Sequence, residues 1–520
     1  NDEDEDEEED EEEYLDIPED PIHAGLYIKS EYLLLALIGK GNNATVWLTY
    51  NSKQRKYYAM KIQLGDFFRE GRREVKIIRE INKYANSHKE KDIHCVKMLD
   101  CFTYVERDES DEKIKYVCSI YDLYACSLNI LLTAGKYKYG FPIPVAKEII
   151  RQLLTGLAVM HEKLKIVHTD VKPHNILIEG INPETQMMMD HFDAKKFHET
   201  ISHLKKTVDP EDLNEQIELY CLEVVIPVTE AVAAYRSEYP RPDIDGDLVE
   251  TASDDVSEDE EEYELNNDED EDEEEDEDEE ESSDDGLETV FPIGTRRQSV
   301  DDIPEDLDDD TIYDLDSGEF YAFTERLNRD PWESSDGTRQ VIPDEFVDPR
   351  KLRTAITDFG NSRFLERRTN EEIQDRRYRD PSVILDLGYN SKCDIWSVGC
   401  IAYELITGFV LFEALDNPGN FDLHHLFLIE KMLGEIPEKM KKRSPRRPFL
   451  FDASRGLHIR AIKEFERTSI HKRLIDQFKM SEDDAIQAEE FILQCLVINP
   501  NDRPRASKLL KHPWLQTDDS

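Results

Sequence analysis

Residues 168 to 175 read His-Thr-Asp-Val-Lys-Pro-His-Asn and set an aspartate, a lysine and an asparagine at fixed offsets in a proline-containing loop. Val145 to His161, apolar with helical spacing, precedes the loop, and Ile176, Leu177 and Ile178 follow it as a strand-like run. Polar groups held between a helix and a strand are aimed by rigid elements, as a site that positions reacting groups requires. A surface turn carrying two charges would have the same eight residues. The decision rests on whether matching parts lie elsewhere in the chain.

They follow a definite order. Glu31 to Ile38 is an apolar run that breaks at Gly39-Lys40-Gly41-Asn42-Asn43-Ala44 and resumes as Thr45-Val46-Trp47-Leu48-Thr49-Tyr50, the pattern of two strands joined by a glycine-rich turn. Tyr57 to Ile62, containing Ala59 and Lys61, predicts a third strand, and Gly71 to Ile81 predicts a helix with Val75, Ile77 and Ile78 toward a core and Glu74 among them. Val96 to Thr103 and Lys115 to Leu123 read as two more strands flanking the charged loop Glu106 to Lys113, which makes five strands and one helix. Asp122-Leu123-Tyr124 then leads toward Pro144, which starts the long helix in which Ile149, Leu153, Gly156, Leu157 and Met160 keep one face.

Charge is distributed very unevenly. Residues 1 to 20 and 250 to 285 hold 15 and 25 acids with no Lys or Arg, so they supply 40 of the 54 net negative charges. Uninterrupted runs such as Asp2 to Glu13 and Asp268 to Glu281 repel themselves and cannot bury apolar area against their ordering entropy, which predicts disorder. They serve either as solubilising tails or as a lure for Arg-rich partners. No cysteine pair has metal-site spacing among the eight present, which fits reduced thiols in a cytosolic or nuclear protein. No run of 18 apolar residues exists and the start is acidic where a signal peptide would be basic, so no membrane span is expected. The chain starts at Asn1 rather than Met, which leaves room for an upstream segment.

Gly39, Gly41, Lys61, Glu74, Asp170, Lys172, Asn175, Asp358 and Asp394 stand in the order of the eukaryotic protein kinase superfamily, which the chain resembles over about 26 to 185 and 350 to 516. The resemblance implies an α+β, two-lobed kinase fold, with a small β-rich lobe at 26–122 and a large helical lobe at 123–185 and 350–516. It also implies a serine/threonine protein kinase, a monomer acting on protein substrates with ATP and Mg²⁺. Asp170 would accept the substrate hydroxyl's proton, and Lys172 would sit by the transferring phosphate. Ile38, Gly39, Lys40, Gly41, Asn42, Asn43, Ala44, Thr45 and Val46 would cover the nucleotide. Ala59 and the Asp122 to Tyr124 hinge would meet its adenine, with Tyr121 at the back of the pocket. Lys61, held by Glu74, would grip the α and β phosphates; Glu70, one helical turn earlier, is the rival partner. Asn175 and Asp358 would hold the metal, and Asp394 would brace the loop from below.

Asp358-Phe359-Gly360 arrives only about 180 residues after Asn175, so 186–349 is an insert, largely disordered and acidic. Its first part keeps apolar periodicity at Phe197, Ile201, Leu204, Leu213, Ile217 and Tyr220, and short helices there would pack on the lobes; Tyr321, Phe323, Leu327 and Trp332 make a second candidate piece. Such a split, with Ala44-Thr45-Val46-Trp47, Phe141-Pro142-Ile143-Pro144, Ile166-Val167-His168-Thr169-Asp170 and Ile373-Gln374, resembles SR protein kinases, implying basic or Arg/Ser-rich protein substrates and no direct nucleic-acid binding. Dual-specificity CDC-like kinases share His-Thr-Asp but lack a comparable spacer, and a catalytically inactive scaffold binding basic partners is the other alternative. Many kinases carry an arginine where Thr169 stands, to pair with a phosphate on the activation loop; threonine cannot do so, which predicts activity without that phosphate.

Two departures stand out. Asp380-Pro381-Ser382 replaces the usual Ala-Pro-Glu, so Arg503 must find another acid, such as Asp380, or that corner is looser. The resemblance also places an acidic docking groove around Asp422, His424 and His425, yet Lys439 to Arg447 beside it is basic and would repel an Arg-rich peptide. That patch holds the protein's own acidic insert, or the substrate is not an SR protein, or the patch is plain surface.

Overall fold

The computed structural model describes residues 22–41, 43–63, 65–88, 92–107, 113–133, 137–239, 347–365, 372–414, 421–460 and 467–516. Asn42, the acidic runs, and Tyr321, Phe323, Leu327 and Trp332 lie outside them.

The small lobe is one antiparallel sheet of six strands, against the five expected. Its strands are β1 (Tyr27–Ile28), β2 (Tyr32–Lys40), β3 (Ala44–Asn51), β4 (Lys56–Gln63), β5 (Met98–Arg107) and β6 (Lys113–Tyr121), ordered β1-β2-β3-β4-β6-β5. The extra strand is a two-residue edge that pairs Tyr27 with Leu33, too short to leave a period in the sequence. Register carries the site across this sheet: Gly39 lies opposite Val46, Val46 opposite Lys61, and Lys61 opposite Ser119. Helix α1 (Phe68–His88) packs beneath, burying Val75, Ile77, Ile78 and Ile81.

In the large lobe β7 (Tyr124–Ser127) pairs with β9 (Ile176–Glu179), and β9 with β10 (Thr354–Ile356), while β8 (Ile166–Val167) pairs with β11 (Arg363–Phe364). Sequence distant by the whole insert is thus stitched to the His168–Asn175 loop on both sides. Helix α2 (Leu128–Thr133) leads to α3 (Ile143–Ala158), which ends in a π-helical turn, Val159–Lys163, that delivers the chain to β8. Helix α7 (Lys392–Thr407) is buried along its entire length, as its apolar run requires. A Cβ at Gly399 would lie 2.8 Å from Cys495 Cβ, so only glycine allows that helix contact. Helix α8 (Phe421–Leu433), helix α9 (Glu438–Arg443) and helix α10 (Glu482–Cys495) complete the lobe.

Three further helices stand where the insert begins: α4 (Pro183–His191), α5 (Ala194–Thr207) and α6 (Leu213–Glu238). Asn182 and Asp193 cap the first two through their side chains. Phe197, Ile201, Val225 and Val228 form one core with Leu33, Leu35, Leu48 and Tyr50 on the outer face of β2 and β3. The expected insert boundary at 186 falls inside α4, and residues through 239 are packed helix rather than acidic spacer. The periodicity at Phe197, Ile201 and Tyr220 reports this burial. Polar contacts also fasten these helices to the strands: Asn182 Nδ2 donates to the Ala125 carbonyl at 2.6 Å, Tyr57 OH to the Met189 carbonyl at 3.4 Å, Tyr50 OH meets His198 Nε2 at 2.9 Å, and Arg236 Nη2 donates to the Leu37 carbonyl at 2.9 Å while its Nε donates to Glu184 Oε1 at 2.8 Å. The β2–β3 ladder slips between Leu37 and Gly39, and Arg236 satisfies the carbonyl there. Among the described residues, no helix is long and apolar enough to cross a membrane.

Candidate active site

Asp394, at the start of α7, is fully buried and organises the loop from beneath. Its carboxylate accepts from the backbone N–H of His168 at 2.8 Å and of Thr169 at 2.9 Å, and meets His161 Nε2 at 2.8 Å. Burial alone would raise its pKa, but these partners, His161 foremost, hold it below the usual carboxylate range. Thr169 is thereby kept at φ 68°, a left-handed conformation uncommon for a β-branched residue. The Thr169 hydroxyl then donates to the Asn361 carbonyl at 2.7 Å, and Ser362 Oγ to the His168 carbonyl at 3.2 Å. The segment after Phe359 is laced to the loop by neutral hydrogen bonds, with the buried Phe359 ring 5.4 Å from His168.

Asp170 Oδ2 accepts from Lys172 Nζ at 3.0 Å and from Asn175 Nδ2 at 3.1 Å, so two other residues of the loop converge on one of its oxygens. Asp375 adds a second carboxylate 3.7 Å from Lys172 Nζ, and its N–H points to Asp170 Oδ1 at 3.3 Å. Burial works against the Lys172 charge, yet Asp170 and Asp375 raise its pKa, so it stays an ammonium.

Above this loop, Lys61 Nζ meets Glu74 at 2.9 and 2.8 Å and Asp358 Oδ1 at 3.0 Å. Desolvation opposes its charge, but the two carboxylates outweigh it and raise the pKa. The same lysine holds the Asp358 carboxyl below its ordinary value. Glu70 instead lies 3.8 Å from Arg73. Thr357 N–H donates to the Asn175 carbonyl at 3.0 Å, which brings Asp358 beside Asn175. Because the Asn175 amide nitrogen is engaged by Asp170, its amide oxygen remains for a cation; with the Asp358 carboxylate this is an all-oxygen donor pair of the kind Mg²⁺ takes.

The glycine-rich turn spans Gly39, Lys40 and Gly41 at the end of β2 and Asn43, Ala44, Thr45 and Val46 entering β3, closed by Gly41 N–H to the Ala44 carbonyl at 2.9 Å. Ile38 and Val46 pack on the main core that lies beneath them, while Ala59 lies opposite the buried Tyr121. Asp122 and Leu123 join β6 to β7, which starts at Tyr124.

Sequence reasoning did not single out the latch around Gln374. At φ 67°, its side chain donates to the Cys393 carbonyl at 3.1 Å and to Ser397 Oγ at 2.9 Å, and accepts from Asp380 N–H at 3.1 Å. Tyr378 OH donates to Glu404 at 2.7 Å, and burial pushes that carboxyl up to about 7. Arg503 pairs with Asp380, both completely buried, so Asp380 takes the place of the missing glutamate. Asn182 and Arg236 were also missed, because no local pattern marks a side chain that caps a carbonyl of another element.

The protein kinase domain family matches residues 32–209 and 346–515. The chain is 43% identical over 520 residues to "Putative serine/threonine-protein kinase L205" of Acanthamoeba polyphaga mimivirus, covering 99% of this chain and 92% of that one. It is 27% identical to the serine/threonine-protein kinase spk-1 of Caenorhabditis elegans, over 95% of this chain and 49% of that protein, and 24% identical to SRSF protein kinase 3 of Mus musculus, over 95% and 88%. With Lys61, Glu74 and Asp358 joined above the His168–Asn175 loop and both matched segments folded into one two-lobed unit, the chain belongs to the protein kinase domain family and is a serine/threonine protein kinase.

Proposed function

We propose that the chain transfers the γ-phosphate of ATP, bound with Mg²⁺, to serine or threonine hydroxyls of Arg/Ser-rich or otherwise basic proteins, and does so without prior phosphorylation of its activation segment. The observation that carries the reaction is the convergence of Lys172 and Asn175 on Asp170 beneath the Lys61–Glu74 pair. In this reading Asp170 takes the proton from the attacking hydroxyl and Lys172 neutralises the transferring phosphate. Lys61 grips the nucleotide's inner phosphates, and the turn from Ile38 to Val46, with Ala59, Asp122 and Tyr124, encloses the rest. Asn175 and Asp358 hold the metal, which when bound neutralises charge on the phosphate oxygens. Catalysis then rests on positioning and electrostatics. The substrate class is supported by the name of the mouse relative, an SRSF kinase.

The test is incorporation of labelled phosphate from ATP into an Arg/Ser peptide, an acidic peptide and a tyrosine peptide. Strong preference for the first is the expected result; preference for either other peptide would overturn the substrate reading, and no incorporation into any of them the reaction itself.

Control of activity is supported by the hydroxyl of Thr169, which ties the activation segment through Asn361 with no charge required. Exhaustive phosphatase treatment is expected to leave kcat within about twofold, since the start of the segment at Asn361 and Ser362 is tied to the loop by neutral hydrogen bonds that need no phosphate. Collapse of kcat after treatment, with recovery on rephosphorylation, would show that a phosphate is needed.

Arg236 offers a second check in the same assay. Arg236→Ala removes a charged hydrogen bond to the strand that leads into the glycine-rich turn, and is expected to raise KM for ATP about three- to tenfold with a smaller change in kcat. An unchanged KM would mean that the turn is held by the ladder alone.

A further inference from the structure

Among the described residues, the large-lobe surface that runs from Arg376, next to Asp375 at the substrate loop, past Asp422 to Arg446 and α9 is rich in cations on a chain whose net charge is −54. Asp422, where an acidic groove was expected, is almost entirely buried between Arg376 and Arg446, the latter at 2.7 Å. Glu430 is likewise buried against Lys441 at 2.8 Å, and accepts from Ile436 N–H. Of the exposed acids described nearby, Glu372 pairs with Arg379, Glu435 with Arg467 at 3.1 Å and Glu438 with Lys442 at 2.7 Å. Lys439, Arg443 and Arg447 are exposed on and just beyond α9 and make no ion pair among the described residues. An Arg-rich segment approaching this face meets like charge.

We propose that this face is the docking site of the chain's own acidic run, Asp268 to Glu281. Its fourteen consecutive acids outnumber the exposed cations Lys439, Arg443 and Arg447 and the one positive charge that Arg376 and Arg446 leave over after Asp422, so the docked run turns a basic face into an acidic one. That inversion reconciles the surface with a basic substrate; this second step rests on the substrate reading above, whereas docking does not. Reach is sufficient. The run starts 29 positions after Tyr239, the last described residue before it, and a chain of that length spans at most about 95 Å, against roughly 50 Å across a folded unit of this size. Complementarity with a covalently attached partner acts at high effective concentration, so contacts that are individually weak and salt-screened suffice.

Carbodiimide coupling of the full-length protein tests docking directly. At low salt, Lys439 is expected to couple within one chain to carboxylates of residues 268–281, and the coupling to fade at about 0.5 M salt, where the screening length falls to a few ångströms. Coupling of Lys439 only to other carboxylates, or only between two chains, would overturn the proposal. Kinetics test the consequence. The deletion of 268–281 is expected to raise KM for an Arg/Ser peptide about three- to tenfold, with KM for ATP unchanged. The triple variant Lys439→Gln, Arg443→Gln, Arg447→Gln, which can no longer hold the run but repels the peptide less, is expected to raise it by a smaller factor, and the deletion to add nothing in that background. Additive effects would mean that the two act apart. If the intact protein fails to phosphorylate the Arg/Ser peptide, the substrate reading falls while the coupling result still decides docking.

Discussion

Asp170→Asn is expected to lower kcat by about 10²–10⁴-fold, the contribution of a positioned general base, while leaving KM for ATP within about twofold. The substitution keeps the size and one acceptor oxygen of the side chain. Among the described residues Asp170 meets Lys172, Asn175 and the Asp375 N–H rather than Lys61 or the glycine-rich turn, so nucleotide binding has no reason to change. The measurement is single-turnover transfer of labelled phosphate to a peptide, with nucleotide affinity determined separately on the same sample. Equal transfer by the variant and the parent would remove Asp170 as the base. A parallel loss of nucleotide affinity would point instead to collapse of the Asn175 and Asp358 pair.

Asp380→Ala is expected to cost about 3–5 kcal/mol, because it strands a buried guanidinium without its counter-ion. Arg503 is enclosed with no exposed surface and stacks 5.1 Å from the Trp396 ring, so water cannot replace the carboxylate. The same aspartate caps the turn that starts at Pro381 by accepting from Ser382 N–H at 2.7 Å, which adds to the loss. Arg503→Met in the same background removes the stranded charge and is expected to recover part of the stability, although the Val497 and Ile498 carbonyls that Arg503 now satisfies lose their donor. Thermal unfolding of the single and double variants reads both effects. A double variant less stable than the parent by the sum of the two single losses would show that the two residues act independently.

The order of the site residues was legible because kinase chemistry requires particular side chains at particular offsets along short elements. Gly39 and Lys61 sit on strands, Gly41 in the turn between β2 and β3, and Asp170, Lys172 and Asn175 in a single loop. The choice of Glu74 over Glu70 was open in the sequence, since both lie on nearby faces of α1, and was decided by a 2.8 Å contact. The replacement of a missing glutamate by Asp380 was one of two options, and burial of both charges selected it.

Local periodicity, offsets and charge runs are properties of neighbouring residues, so the sequence by itself determined the elements, the kinase family resemblance and the place of the insert. Contacts between elements depend on how faces meet, and these only the tertiary structure decided. It turned the first fifty residues of the insert into a helical cover on β2 and β3. It placed Arg236 on the Leu37 carbonyl and Thr169 on the Asn361 carbonyl, and it buried Asp422 between two arginines. A side chain's partner across 200 residues leaves no periodic trace, because the backbone pattern fixes which way it faces and packing alone fixes what it meets.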